Sequence, residues 1–401
     1  MSAIIEDLVT ENVEQAFDLQ QVIAALSQDF ESTAIKRDLA GGHAKHERDL
    51  IRQSGLLNLG IPKEFGGHGA SWSEIYQAVR KIAEVDSALA HIYAFHNLQL
   101  STIQLYGNKD QFEKHSRETI TKQLFWGNAL NPNDKRTLAS KFDDGYKIHG
   151  PKSYCSGSVG SDRLIFSAWH EPSQSLLIGV IPSDKAGVTI KGDWDSFGQK
   201  QTDSGTVLFD QVQVKNDEIL VHPGRVLSND STVRSLIAQH ILSNLYTGIA
   251  QGALNRGAEY IRTNSRPYIN SGVVKATEDP FIQNRFGKLQ VKVKAAQIVA
   301  DDAAKRIDQA LYFGSELTAE ARGLTAITVA ESKAISHEAA IEVSNQIFEL
   351  MGASSTSSKF GLDRFWRNAR VHTLHDPIDY KLRDIGIYAL TGKFPAPTSY
   401  S

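Results

Sequence analysis

The 401-residue chain carries a formal charge of −3 and is 41% hydrophobic, 22% charged and 8% aromatic. At roughly 150 residues per domain that length gives two to three domains with ample apolar material for a core, and the composition excludes a disordered, collagen-like or coiled-coil chain. A charge this near neutral offers no field to draw phosphate backbones or anionic bilayers, so neither nucleic acid nor membrane is an expected partner, and the single cysteine, Cys155, excludes an internal disulfide.

Taken in chain order, Met1 to Leu8 bears acids early and lacks both the apolar run of a signal peptide and the arginines of a transit peptide, so a cytoplasmic location is the expectation. From about Asn12 to Gly107 apolar residues recur at helical spacing, as in Ile75, Val79 and Ile82, and Ser71 with Glu74 spells a capping box. Within that region Gly60 to Gly69 is a turn-rich connector whose spacing is not that of a phosphate-binding glycine loop. From about Gln123 to Leu220 the period shortens. Leu138–Phe142 and Tyr146–Ile148 flank a turn signal at Asp143-Asp144-Gly145, and Leu164–Trp169, Leu176–Ile181, Val188–Ile190 and Thr206–Val214 read as further strands of an antiparallel domain. Helical periodicity returns in four blocks, roughly 231–262, 279–313, 318–351 and 376–391, whose apolar stripes suit a bundle. The expected domains are therefore a helical one over 1–122, a central β-domain over 123–225 and a four-helix bundle over 226–401.

Several constellations bear on chemistry. Tyr154 to Asp162 places serines and glycines just before an apolar strand, where backbone approaches a planar ligand closely and a hydroxyl bonds a ring nitrogen; a plain Ser/Gly loop has the same composition. Cys155 has no activating neighbour and reads as a buried inert thiol. His91 and His96 are five apart on one helix, the wrong spacing for a shared metal, and His372 and His375 would need carboxylates from elsewhere, so no metal is expected. Arg266, just past a helix end, is either an anion clamp or an ordinary surface arginine. The arginine- and aromatic-rich run from Gly361 to Arg370 fits ion pairs within the bundle or between subunits better than nucleic acid.

Helices, then a small β-domain, then a bundle is an uncommon order, and it resembles the acyl-CoA dehydrogenase superfamily. Leu56–Gly67, Tyr154–Gly157, Gln201–Gly205, Ala276–Pro280 and Asp363–Pro377, matching in order, resemble its flavin-dependent monooxygenase branch, typified by dibenzothiophene monooxygenase. Where acyl-CoA dehydrogenases keep a late catalytic glutamate, this chain reads Thr373-Leu374-His375-Asp376. The resemblance implies reduced FMN delivered by a separate NAD(P)H-dependent flavin reductase, O2 as co-substrate, a flavin C4a-hydroperoxide, and oxygenation of an organosulfur compound, either dibenzothiophene-like or small and alkyl. It implies that Asn128 and Ser156 hold the oxygenated flavin by hydrogen bonds and that His91 and His375 donate or relay protons. Tyr154, Trp194 and Ser204 would lie at the flavin, Arg266 at its phosphate, and Phe95 and His372 in the substrate pocket. Phe95 stands where that relative has a tyrosine, and Ser354 where it has a phosphate-contacting arginine, so Ser354 and Ser355 in Gly352–Thr356 would replace charge with hydroxyl and backbone donors. A homotetramer is also implied. An FAD-dependent acyl-CoA dehydrogenase or oxidase and a catalytically idle flavin-binding scaffold are the alternatives.

Overall fold

The computed structural model describes residues 17–401, so the expectations for Met1 to Leu8 and for the helical pattern between Asn12 and residue 16 lie outside the described residues. Among the described residues five helices come first: α1 (Leu19–Ala40), α2 (Lys45–Gln53), α3 (Trp72–Ala83), α4 (Ser87–Tyr106) and α5 (Lys109–Lys122). Helix α3 starts at the Ser71/Glu74 capping box, with each side chain bonded to the other's backbone N–H. Between α2 and α3 the glycine-rich connector folds as a tight loop around a single 3-10 turn, Lys63–Phe65. Gly67 is required there because a Cβ would fall 2.1 Å from the Ile61 carbonyl oxygen.

Eight strands follow: β1 (Trp126–Ala129), β2 (Leu138–Phe142), β3 (Gly145–Lys152), β4 (Arg163–His170), β5 (Ser175–Pro182), β6 (Val188–Ile190), β7 (Val207–Val214) and β8 (Ile219–Val221). They form one sheet in the order β6-β7-β3-β2-β4-β5-β8, with β1 on β4. Most pairs are antiparallel, while β1 and β2 each meet β4 in parallel. Phe142 pairs with Gly145, so the β2–β3 hairpin turns on Asp143 and Asp144 alone. Strands β1 and β8 add to those read from periodicity. Both are wholly buried and show no alternation, the pattern by which a short strand is otherwise recognised.

The remaining helices are α6 (Asn229–Thr263), α7 (Pro280–Phe313), α8 (Ala319–Met351), α9 (Asp363–Thr373) and α10 (Ile378–Thr391). Helices α6, α7 and α8 share with α3 and α4 a core that includes Tyr76, Leu89, Leu245, Val293 and Val343. A second core, with Ile148, Phe166 and Phe209, lies in the sheet. Helix α9 was not among the helices read from sequence. Its arginines serve packing and ion pairs: Arg364 lies 4.2 Å over the Phe365 ring, and Arg367 pairs with Asp363 at 2.8 Å and with Asp38 on α1. No helix of the described residues is long and apolar enough to cross a membrane.

Candidate active site

Helix α4 is the spine of the site. Asp86 caps it, its carboxylate accepting from the N–H groups of Ala88 and Leu89. His91, Phe95 and Gln99 then recur every four residues and share one face. The Phe95 ring stacks on His91 at 4.1 Å, and the His372 ring from the last turn of α9 lies 4.8 Å from His91. The Tyr246 hydroxyl of α6 donates to the His372 carbonyl at 2.9 Å and so fixes the end of α9 against the bundle. His91 and His372 are buried, and neither His91 nitrogen nor His372 Nε2 has a hydrogen-bond partner among the described residues. Burial, reinforced by His372 and His375, holds the His91 imidazole well below its ordinary pKa, and burial with His375 and Lys333 pushes His372 down to about 3. Both rings are therefore neutral near pH 7, each with one N–H to donate and one nitrogen to accept.

The neighbouring His96 is different in kind. Its Nε2 meets the Leu57 carbonyl at 2.8 Å and its Nδ1 accepts from the Trp126 N–H, so it ties α4 to the connector and to β1.

Opposite α4 runs the Tyr154–Asp162 loop. Tyr154 takes a left-handed backbone at φ 60° and Gly157 does so at φ 68°, where a Cβ on Gly157 would only touch Ile92 at 3.7 Å; conformation rather than space selects glycine there. That contact seats the loop beside His91. Asn128 of β1 donates its N–H to the Ser156 carbonyl at 2.9 Å, and its side-chain oxygen accepts from Gln99 Nε2 at 3.3 Å. Gln99 Oε1 is buried and has no donor among the described residues.

The Ser156 hydroxyl belongs to a chain whose direction is determined. Thr202 Oγ1 lies 3.0 Å from the Gln199 carbonyl, which only accepts, so Thr202 donates there. Ser204 Oγ therefore donates to Thr202 Oγ1 at 2.8 Å, and Ser156 Oγ donates to Ser204 Oγ at 2.8 Å. Ser156 is left presenting lone pairs. Gln199, which ends the chain, donates to Ser87 at the start of α4 at 2.9 Å and also accepts from Trp194 Nε1 at 2.9 Å through its carbonyl. Trp194 is half-buried, with the exposed Tyr154 ring edge-on at 6.3 Å. Cys155, between these groups, is buried, and burial pushes its thiol up to about 12, as an inert structural thiol requires.

His375 closes this region in the turn after α9. Its N–H donates to the His372 carbonyl, its Nδ1 lies 2.9 Å from Asp376 Oδ1, and the Tyr400 ring stands edge-on at 5.6 Å.

Ser354, Ser355 and the loop that carries Arg266 lie apart from these residues, Ser265 donating to the Met351 carbonyl at 3.0 Å. Ser354 Oγ bonds Tyr260 Oη at 2.8 Å, the Ser355 hydroxyl is buried and donates to the Gly352 carbonyl, and Arg266 lies exposed in the loop after α6, with no ion pair among the described residues. Tyr260 is 14 residues beyond Tyr246 on α6, about 21 Å at 1.5 Å per residue. Among the described residues no hydrogen bond or ring contact joins the two groups.

Sequence reasoning missed Gln99, Thr202, Lys333 and the part played by Asp376. Gln99 was findable as the residue eight after His91 on the same helical face. Lys333 carried no signal, since an isolated lysine in an apolar helix reads as a solvated position. Among the described residues no three His, Cys, Asp or Glu side chains gather to hold a metal ion.

The family profile described as "Acyl-CoA dehydrogenase, N-terminal domain" matches residues 18–123, and "Acyl-CoA dehydrogenase, C-terminal domain" matches residues 240–380. The chain is 41% identical to the probable FMNH2-dependent monooxygenase SfnC of Pseudomonas putida, over 94% of this chain and 95% of that one. Its fold superposes on the methanesulfinate monooxygenase MsuC of Pseudomonas fluorescens with a TM-score of 0.93, at 40% identity and covering 95% and 99% of the two chains. It superposes on the dibenzothiophene monooxygenase TdsC of Paenibacillus sp. A11-2 with a TM-score of 0.91, at 39% identity and covering 96% and 99%. That enzyme has also been solved with FMN bound.

Proposed function

The chain belongs to the acyl-CoA dehydrogenase family, in the branch that holds these flavin-dependent monooxygenases, and from that premise we propose that it is the oxygenating half of a two-component sulfur monooxygenase. Its reductant is FMNH2 from a separate flavin reductase, its oxidant is O2, and its substrate is an organosulfur compound. The observation that carries this reading is the group of buried polar atoms left without partners where α4 meets the end of α9: both nitrogens of His91 and Gln99 Oε1 on one face of α4, and His372 Nε2 from α9, with the accepting hydroxyl of Ser156 in the adjoining loop. Such atoms cost about 1–3 kcal/mol each unless a ligand or water meets them, so several gathered together suit a flat ligand with donors and acceptors of its own.

These residues fit reduced FMN. Bound there, it supplies two electrons, so that one oxygen atom of O2 passes to sulfur and the other leaves as water. Ser156 Oγ, as an acceptor, suits the ring N–H that a flavin carries only when reduced, and the Thr202–Ser204 hydroxyls hold it in that role. Asn128, pinned by Gln99, orients the adjacent backbone. Trp194 and Tyr154 would flank the ring system. The paired neutral imidazoles of His91 and His372 offer N–H donors without placing a charge in a dry site, where a charge would be costly. His375, at the edge of the cluster and within reach of solvent, is the group placed to bring a proton in, and Phe95 gives the substrate a wall with no hydroxyl to satisfy.

Arg266 would hold the phosphate, with Ser354 and Tyr260 as nearby hydroxyl donors at the end of α6. The distance along α6 supports a site completed by a neighbouring subunit, and we expect a homotetramer. Exposed apolar side chains on α7 (Val291, Ile298, Tyr312) and α10 (Leu382, Ile387, Leu390) are material for that contact. The dehydrogenase alternative lacks its base: the one late-chain carboxylate near the site, Asp376, is engaged by His375 and Lys333.

The experiment is anaerobic titration with FMNH2 and with FAD, followed by turnover with a flavin reductase and O2 on methanesulfinate and on dibenzothiophene. Preferred binding of FMNH2 and an oxygenated sulfur product are expected. Tight FAD with oxidation of an acyl-CoA would overturn the proposal.

A further inference from the structure

Helix α8 buries a lysine that none of the chemistry above uses. Lys333 is 1% exposed. Its ammonium donates to Gln239 Oε1 of α6 at 2.6 Å and to Asp376 Oδ1, the same oxygen that lies 2.9 Å from His375 Nδ1. A buried cation, a largely buried carboxylate and a half-exposed imidazole thus stand in line, ending at the edge of the His91–His372 pair. The groups facing this line are Gln239 and Tyr246 from α6, His337 from α8, His372 from α9, Lys381 from α10, whose ammonium is spent on the Tyr400 carbonyl, and the Tyr400 ring.

We propose that Lys333 is a positioning residue: by holding the Asp376 carboxylate ionised and aimed at Nδ1, it keeps neutral His375 as the Nδ1–H tautomer, so that Nε2 is the nitrogen that exchanges protons with the site. The inference deepens the reading of His375 given above and rests on it. A carboxylate only accepts, so an ionised Asp376 demands a hydrogen on Nδ1. A protonated Asp376 would donate to Nδ1 instead and put the ring hydrogen on Nε2. A carboxylate turned to water would leave both tautomers populated. The direction of the lysine's influence agrees: burial alone would raise the Asp376 carboxyl, but the His375 hydrogen bond and the Lys333 ammonium hold it well below the usual carboxylate range. Burying a lysine is costly, and burial lowers Lys333 to about 8 even with Asp376 beside it. A second-layer partner that selects a histidine tautomer gives that cost a function.

The alternative is that Lys333 merely anchors the α9–α10 turn. Flavin-free protein with 15N-labelled histidine separates the two, because long-range 1H–15N spectra at about pH 8.5, where imidazole is ordinarily neutral, report which nitrogen carries the hydrogen. The wild type should show His375 as Nδ1–H, with the signal assigned by its loss in His375→Ala. Lys333→Met, and Lys333→Gln as the milder variant, should turn a major share to Nε2–H, while Lys333→Arg should restore the wild-type form. With reductase and substrate, Lys333→Gln should lower sulfur oxidised per FMNH2 consumed about 10-fold, with KM for the sulfur substrate and FMNH2 affinity unchanged. A folded Lys333→Met or Lys333→Gln that keeps His375 as Nδ1–H overturns the proposal. If neither variant folds, Lys333 is an anchor and the proposal likewise fails. If the tautomer shifts as expected but His375→Ala oxidises sulfur in wild-type yield, the lysine's action on His375 stands and the catalytic reading of His375 is what falls.

Discussion

Acid should unfold this protein well before its carboxylates titrate, because it buries histidines in the neutral form. Burial holds His96 and His115 at about 4, and His240 and His372 at about 3, against an ordinary imidazole value near 6.5. The unfolded chain therefore binds protons that the folded chain refuses. The stability contributed by these four groups is complete above pH 6.5 and is lost as pH falls towards the folded values. Each group costs about 1.4 kcal/mol per pH unit within that window, so at pH 5 the loss is about 2 kcal/mol per histidine and about 8 kcal/mol for the four. That is comparable with the whole net stability of an ordinary domain, about 5–15 kcal/mol. Calorimetry at pH 7.5, 6.5, 5.5 and 5.0 should show a plateau above pH 6.5 and a fall in Tm of roughly 10 °C by pH 5. In His240→Gln, where an amide replaces the donor to the Ala300 carbonyl, starting stability should be lower and the acid slope shallower by about 1.4 kcal/mol per pH unit. A Tm that holds level from pH 7.5 to 5, or a His240→Gln slope equal to wild type, would refute the reasoning. One corollary concerns activity: His91 and His372 stay neutral until the fold fails, so an acid limb in turnover that precedes unfolding belongs to other groups.

His375→Ala should lower sulfur oxygenation by about 10²–10⁴-fold, the usual worth of a positioned general acid, and shift the balance towards H2O2. Because the ring is half-exposed, Tm and FMNH2 affinity should stay close to wild type; a loss of Tm and flavin binding with normal product per flavin would mark a structural histidine instead. Thr202→Val removes the hydroxyl that orients Ser204 and Ser156, so Ser156 should be free to donate as well as accept. The preference for FMNH2 over FMN should then shrink about 10-fold, measured by paired anaerobic and aerobic titrations, and an unchanged ratio would show the chain's direction to be immaterial. Arg266→Ala should weaken FMNH2 by about 10–100-fold and leave riboflavin unaffected, since the guanidinium is assigned to the phosphate; equal weakening of both would remove that assignment.

The extents of the long helices, the Ser71/Glu74 cap and the Asp143-Asp144 turn are local matters, and the sequence determined them because each depends on residues within one or two turns of one another. The inertness of Cys155 was decided by the tertiary structure, since burial raises its thiol against the opposing pull of Lys152 three residues before it. Strands β1 and β8 escaped because, buried on both faces, they carry no period, and α9 escaped because its arginines and aromatics look like surface until Asp38, 329 residues from Arg367, is brought to it. The site followed the same division. The residue types on α4 and in the Tyr154–Asp162 loop could be named from the chain, but the direction of the Ser156 hydroxyl depends on Gln199 and Thr202 more than 40 residues away, and the neutrality of His91 depends on burial against His372. Hydrogen-bond direction and desolvation are properties of groups that meet in space, which is why Lys333, Asp376 and His375 became one line only when α8 packed against the turn after α9.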